Sequence, residues 1–155
     1  MSSVLTANVH SIAELNALDS STESIIVENG SSGEGYVLDF SRFSNLKSLI
    51  VGDNCFEYVK IMNMTGLQKL ETIKVGVSSF NRYFNTHDTS FSVKNCTRLR
   101  ELRIGQSSFE HWDLIEIENA PSLEVIQIGY LHYDDYGYVF SAASMELRGE
   151  GRRGE

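Results

Sequence analysis

The chain has 155 residues, 41% of them apolar, with a single proline, which is enough for one ordinary domain with a sizeable core and excludes a disordered polymer. Twenty-one acidic residues against 13 basic ones give a net charge of −8, which argues against a phosphate-binding surface, so nucleic acid is not an expected partner. No apolar run approaches the roughly 18 residues that span a bilayer, and residues 1–18 lack the basic start and apolar block of a signal peptide, so no membrane span and a cytoplasmic location are expected.

In chain order, Val9, Ile12, Ala13, Leu15 and Leu18 recur at spacings near three and four, and Ser11 with Glu14 can form a capping box. This predicts a short amphipathic helix within a cap over residues 1–21, covering the open apolar end of a stack of repeats. In SIIVENG (24–30), Ile25 and Val27 lie one 24-residue step before Leu49 and Val51, a degenerate first repeat. The glycine-rich stretch 30–35 has no phosphate-loop lysine and is expected to be a loop.

From residue 46 one pattern returns four times: LKSLIVGDNCF, LETIKVGVSSF, LRELRIGQSSF and LEVIQIGYLHY, with leading leucines at 46, 70, 99 and 123. The steps of 24, 29 and 24 residues are those of a stacked solenoid, in which a unit cannot bury its apolar face without a neighbour. Within each copy the apolar positions just before the glycine alternate as in a strand with one buried face. Gly52, Gly76, Gly105 and Gly129 come directly after that strand, where a turn asks for positive φ or for no β-carbon. Phe56, Phe80, Phe109 and Tyr133 then return one aromatic per coil to the interior. Upstream of each leucine, Leu38/Phe40, Met62/Met64, Phe91/Val93 and Ile115/Ile117 alternate again and predict a second, outer strand.

The pattern L-x-x-L-x-I-G-x-S-x-F over residues 22–133 resembles the leucine-rich repeat, and its short, aromatic-closed form looks most like the BspA-like branch. Asn54, Ser78 and Ser107 stand at the family's Asn/Cys position, and Leu131 departs from it. The resemblance implies a curved solenoid with an inner parallel sheet and outer extended strands, whose inner face binds another macromolecule, usually a protein, without catalysis. The expected fold is thus a β-rich leucine-rich-repeat solenoid with a short N-terminal capping helix. About five coils occupy residues 22–149 and a polar tail residues 150–155.

The long step comes from five extra residues within 81–90, expected to form a loop on one rim: either a binding element or a tolerated bulge. After Tyr133 the register decays. Either Val139 and Leu147 continue the 24-residue step, or Met145 and Leu147 form a last inner strand in place of Ile126 and Ile128.

Cys55, placed outward beside Phe56, and Cys96, placed after an outer strand, are expected as separate reduced thiols. The sequons at Asn63 and Asn95 fall where a turn would use asparagine for backbone hydrogen bonds. His10, His87, His111 and His132 show no metal-ligand spacing, although His111 and His132 lie near Asp113 and Asp134/Asp135. No catalytic set is placed on one face, so no catalytic, cofactor or metal residue is expected.

On the solvent side of the inner strands the register forms two columns: Ser24, Ser48, Thr72, Glu101, Val125, and Ile26, Ile50, Lys74, Arg103, Gln127. A stripe of apolar residues beside basic ones fits a protein-binding face, and equally an ordinary β-branched sheet surface. Ile26, Ile50, Lys74, Arg103 and Gln127, with Thr72 and Glu101, are the candidate partner-binding residues of a non-catalytic protein-interaction module. The alternatives are a structural spacer or part of a larger multidomain protein, and then a carbohydrate-acting β-helix, which would need two carboxylates facing each other in a groove.

Overall fold

The computed structural model describes residues 5–33, 35–81, 88–110 and 112–129, and the backbone of Ser144–Arg148. In chain order the elements are β1 (Thr6–Ser11), α1 (Ile12–Asn16), β2 (Ser24–Ser32), β3 (Val37–Asp39), β4 (Ser48–Val51), β5 (Ile61–Thr65), β6 (Thr72–Val75), β7 (Ser90–Lys94), β8 (Glu101–Ile104), β9 (Leu114–Glu118), β10 (Val125–Ile128) and β11 (Ser144–Arg148). From β2 onward the chain alternates between two sheets. One has six strands in the order β1-β2-β4-β6-β8-β10, the other five in the order β11-β9-β7-β5-β3. Every pairing is parallel, because from β2 onward each strand reaches its neighbour only after a visit to the other sheet, and β1 reaches β2 by a crossover through α1.

The 24-residue spacing becomes pairing register. Ile25 sits opposite Leu49, Leu49 opposite Ile73, Ile73 opposite Leu102, and Leu102 opposite Ile126. In the second sheet Leu38, Met62, Phe91 and Ile115 are partners in the same way. The inward residues bury one continuous core from Val9 to Ile117. Each fully buried Leu, Ile or Phe contributes roughly 1.5–3 kcal/mol relative to exposure, and only a neighbouring strand pair supplies the cover. Phe80 and Phe109 stack at 4.6 Å, Phe91 stacks on Phe109 at 5.0 Å, and Phe56 tilts against Phe80 at 5.7 Å. Trp112, which the repeat pattern did not single out, stands edge-on to Phe80 and Phe109 and donates its indole N–H to the Phe80 carbonyl. Tyr133 lies outside the described residues.

The corner after each strand of the six-stranded sheet uses its glycine for space rather than for positive φ. A β-carbon on Gly52 would lie 2.9 Å from the Val27 carbonyl oxygen, and one on Gly76 would lie 2.7 Å from the Gly52 backbone. Of these corner glycines only Gly129 has positive φ, at 72°. The left-handed residues are instead Asn54, Ser78 and Ser107, and the aromatics Phe56, Phe80 and Phe109, all near 55°. Aromatic residues occupy that region at a cost, which their burial in the stack offsets.

Between those two left-handed positions Cys55, Ser79 and Ser108 form a buried ladder, with Ser31 buried at the same place one unit earlier. The Cys55 N–H donates to Ser79 Oγ, and the Ser79 N–H to Ser108 Oγ. In turn Ser79 Oγ donates to the Gly52 carbonyl at 2.7 Å and Ser108 Oγ to that of Gly76 at 2.6 Å. Cys55 therefore points inward, contrary to the outward position expected. The ladder falls one residue after the Asn54/Ser78/Ser107 position singled out by the resemblance.

The N-terminal segment differs from expectation as well. Val9 lies on a strand, opposite Val27, and the helix is confined to Ile12–Asn16. An isolated helix of about ten residues is marginal, whereas a strand here pairs with β2 continuously from Thr6 to Val9. Ser11 caps the helix by accepting from the Glu14 N–H, while the Glu14 carboxylate accepts from the backbone of His10 instead of that of Ser11. At the other end Arg42 donates to the carbonyls of Leu15, Asn16 and Leu18.

Asn63 lies within β5 and not in a turn, whereas Asn95 has a φ of 57° at the end of β7, as a turn residue should. At the C-terminal end β11 joins the five-stranded sheet, with Met145 opposite Ile115 and Leu147 opposite Ile117. Both sequence-based alternatives are corrected: the step there is thirty residues, and Met145 and Leu147 belong to the second sheet. Val139, the tail 150–155 and most of the insertion, 82–87, lie outside the described residues.

Candidate functional site

The solvent face of the six-stranded sheet is assembled by pairing register. Ile26, Ile50, Lys74, Arg103 and Gln127 are successive partners across β2, β4, β6, β8 and β10. Ser24, Ser48, Thr72, Glu101 and Val125 form the neighbouring row on the same strands. On β2, β4, β6 and β8 both rows alternate with the buried positions, so their members face away from the core; on β10, where Ile126 is 40% exposed, Val125 and Gln127 continue the rows by register. Ile50 is 36% exposed, Ile26 half-buried, and Lys74 and Gln127 exposed.

The charged members are organised among themselves. Arg103 donates to the Glu101 carboxylate on its own strand and to the Gln127 amide oxygen on β10. The hydrogen bond to Glu101, reinforced by the charges of Arg103, Lys74 and Arg100, holds the Glu101 carboxyl below its usual range. One residue before the strands, Glu23, Lys47, Glu71, Arg100 and Glu124 alternate in sign from unit to unit. Lys47 pairs with Glu23 and Arg100 with Glu124, each at 3.4 Å. Beside these rows an open depression of about 300 Å³ is bordered by Glu71, Thr72, Arg100, Glu101, Arg103, Glu124 and Val125. Three carboxylates thus border one depression. The one bound to Arg103 is held ionised, the reverse of the raised pKa that a general acid requires.

The other faces carry less chemistry. Cys55 and Cys96 are free and buried; burial pushes both thiols up, away from the thiolate needed for reaction or metal binding. Among the described residues no group of three or more His, Cys, Asp or Glu side chains is placed to hold a metal ion. His10 pairs with Glu14 at 3.3 Å, and His87, His111 and His132 lie outside the described residues. Among the described residues no helix is long and apolar enough to cross a membrane.

The sequence reasoning missed one surface. On and beside the five-stranded sheet Tyr36, Val37, Tyr58 and Ile61 are exposed, by 58%, 54%, 52% and 36%. Val37 and Ile61 are direct partners, and Lys60 lies 4.9 Å above the Tyr36 ring. The signal was present: Val37 and Ile61 each precede an inward apolar position in their strands, where a polar residue is the rule.

No family model, no curated protein and no solved structure matches this chain.

Proposed function

We propose that this chain is a non-catalytic protein-interaction module, a solenoid of the leucine-rich-repeat type that contacts its partner through the open face of the six-stranded sheet. The observation that carries the reading is the row Ile26, Ile50, Lys74, Arg103 and Gln127, held in register on a rigid parallel sheet. Such a row combines apolar area with charge and requires little ordering on association, so binding energy concentrates there. Two free, buried thiols in separate units suit a reducing compartment, which favours work in the cytoplasm.

The test is affinity capture with the wild-type chain and with a double variant, Ile50→Glu with Arg103→Glu. Both side chains face water, so the variant should keep its far-ultraviolet spectrum and melt within a few degrees of wild type. Capture should weaken at least tenfold, about 1.4 kcal/mol. A folded double variant that retains the same partners contradicts the reading. A second reading, contact through Tyr36, Val37, Tyr58 and Ile61, is favoured by their exposure and predicts loss of capture on Tyr58→Glu with Ile61→Glu instead.

A further inference from the structure

We propose that the six-stranded face takes an extended segment of a partner protein in which an apolar side chain precedes a carboxylate by about three residues, the carboxylate replacing that of Glu101 on Arg103. This inference rests on the reading of that face as the contact surface and adds the chemistry of what it holds.

The row changes character once along its length. Ile26 and Ile50 are neighbours on β2 and β4, Lys74 and Arg103 on β6 and β8, and no acidic residue stands in the row although the whole chain carries −8. Adjacent strands are about 4.8 Å apart, which puts Ile50 and Arg103 about 10 Å from each other. A segment in the polyproline II form advances about 3.1 Å per residue and returns to the same face every three residues, so one lying across the strands spans that distance with both side chains on the sheet. Its apolar side chain then covers Ile50 while its carboxylate meets the two cations.

The guanidinium already holds a carboxylate. Glu101, two residues earlier on β8, accepts from Arg103, and Gln127 accepts from the other side. This internal pair is a template for the proposed one, formed by a side chain that is free to turn back to solvent. Lys74 is exposed and makes no ion pair with a described residue, so it is ready to receive charge. The direction of the Glu101 titration agrees: the hydrogen bond from Arg103, with the charges of Arg103, Lys74 and Arg100, favours a negative group at this point. Beside the guanidinium the open depression, bordered by Thr72, Val125, Arg100 and the carboxylates of Glu71 and Glu124, leaves room for the incoming backbone, whose N–H groups can donate to those carboxylates. A basic segment in the same place would set its cation against Lys74 and Arg103.

The experiment titrates the full chain into a fluorescein-labelled serine-rich peptide carrying leucine and glutamate about three residues apart, and into a control with lysine in place of the glutamate, followed by anisotropy at low salt. The acidic peptide should bind and the lysine peptide should not. Arg103→Glu should weaken binding at least tenfold with an unchanged far-ultraviolet spectrum, and Glu101→Gln, which removes the competing charge, should tighten it. Absence of acidic-peptide binding, or binding indifferent to Arg103→Glu, overturns the proposal. Lysine-peptide binding lost on Ile50→Glu overturns the carboxylate while leaving the face in place. Acidic-peptide binding lost on Ile61→Glu but kept in Arg103→Glu overturns the face itself.

Discussion

A single β-carbon decides what the corner glycines tolerate. Gly76→Ala would push an atom to 2.7 Å from the Gly52 backbone, and neither strand end can retreat without breaking its pairing. The expected cost is about 1–3 kcal/mol, as for other overpacked sites. Gly66, with a φ of 73° and nothing near its missing side chain, should lose only about 1–2 kcal/mol on the same substitution, from left-handed strain alone. Urea denaturation of the two variants checks the order; a cheaper Gly76→Ala would show that the stack can open. The ladder is equally local. Ser79→Ala leaves the Cys55 N–H and the Gly52 carbonyl without their partner in a buried place, a loss of about 1–3 kcal/mol. Leu102→Ala, at the centre of the core, should cost about 2–5 kcal/mol. Arg103→Ala, one residue on and facing water, should cost under about 1 kcal/mol, and equal losses would overturn the register.

At the scale of elements, periodic features were legible and singular ones were not. The strands carrying Leu49, Ile73 and Leu102, and those carrying Met62, Phe91 and Ile115, could be placed because each copy constrains the next by its spacing. The face of Ile50, Lys74 and Arg103 came from the same register. Features that occur once escaped. Val9 looked helical because a spacing of three is shared by a helix face and by a strand that runs into a helix. Cys55 belongs to a corner that does recur, and looked exposed because its inward turn depends on left-handed backbone at Asn54 and Phe56, which side-chain alternation does not report. The hydrogen bonds of Arg42 to α1 cross between units and leave no trace in either segment. They also make a prediction. Helix α1 is too short to hold its own C-terminus, so Arg42→Ala should expose three carbonyls and cost about 1–2 kcal/mol. Amide exchange should accelerate in Asn16 and Ala17 and stay unchanged in β6 and β8; uniform acceleration would mean that the helix is coupled to the whole stack.

For the whole molecule, the continuous core makes stability a sum over units and the interfaces between neighbours, so groups in different units report on the same global unfolding. Cys55 and Cys96 are two such groups, one at the corner after β4 and one at the turn after β7. Burial raises the pKa of both thiols above the ordinary value of 9.0. In the unfolded chain they ionise as pH passes that value, while in the folded chain they keep their protons. The unfolded state then binds fewer protons than the folded one, so stability falls as pH rises, and the contribution is full only below about 9. A variant with Cys55→Ser and Cys96→Ala isolates the effect, because serine occupies the ladder at 31, 79 and 108 and alanine the equivalent turn position at 120. All other groups are common to the two proteins and cancel in the comparison. Urea denaturation on either side of about pH 9 should show wild type losing stability relative to the variant as pH rises, with equal denaturant slopes. Curves that stay parallel across that range would mean that the thiols reach solvent in the folded chain, and that the ladder at Cys55 is open to water.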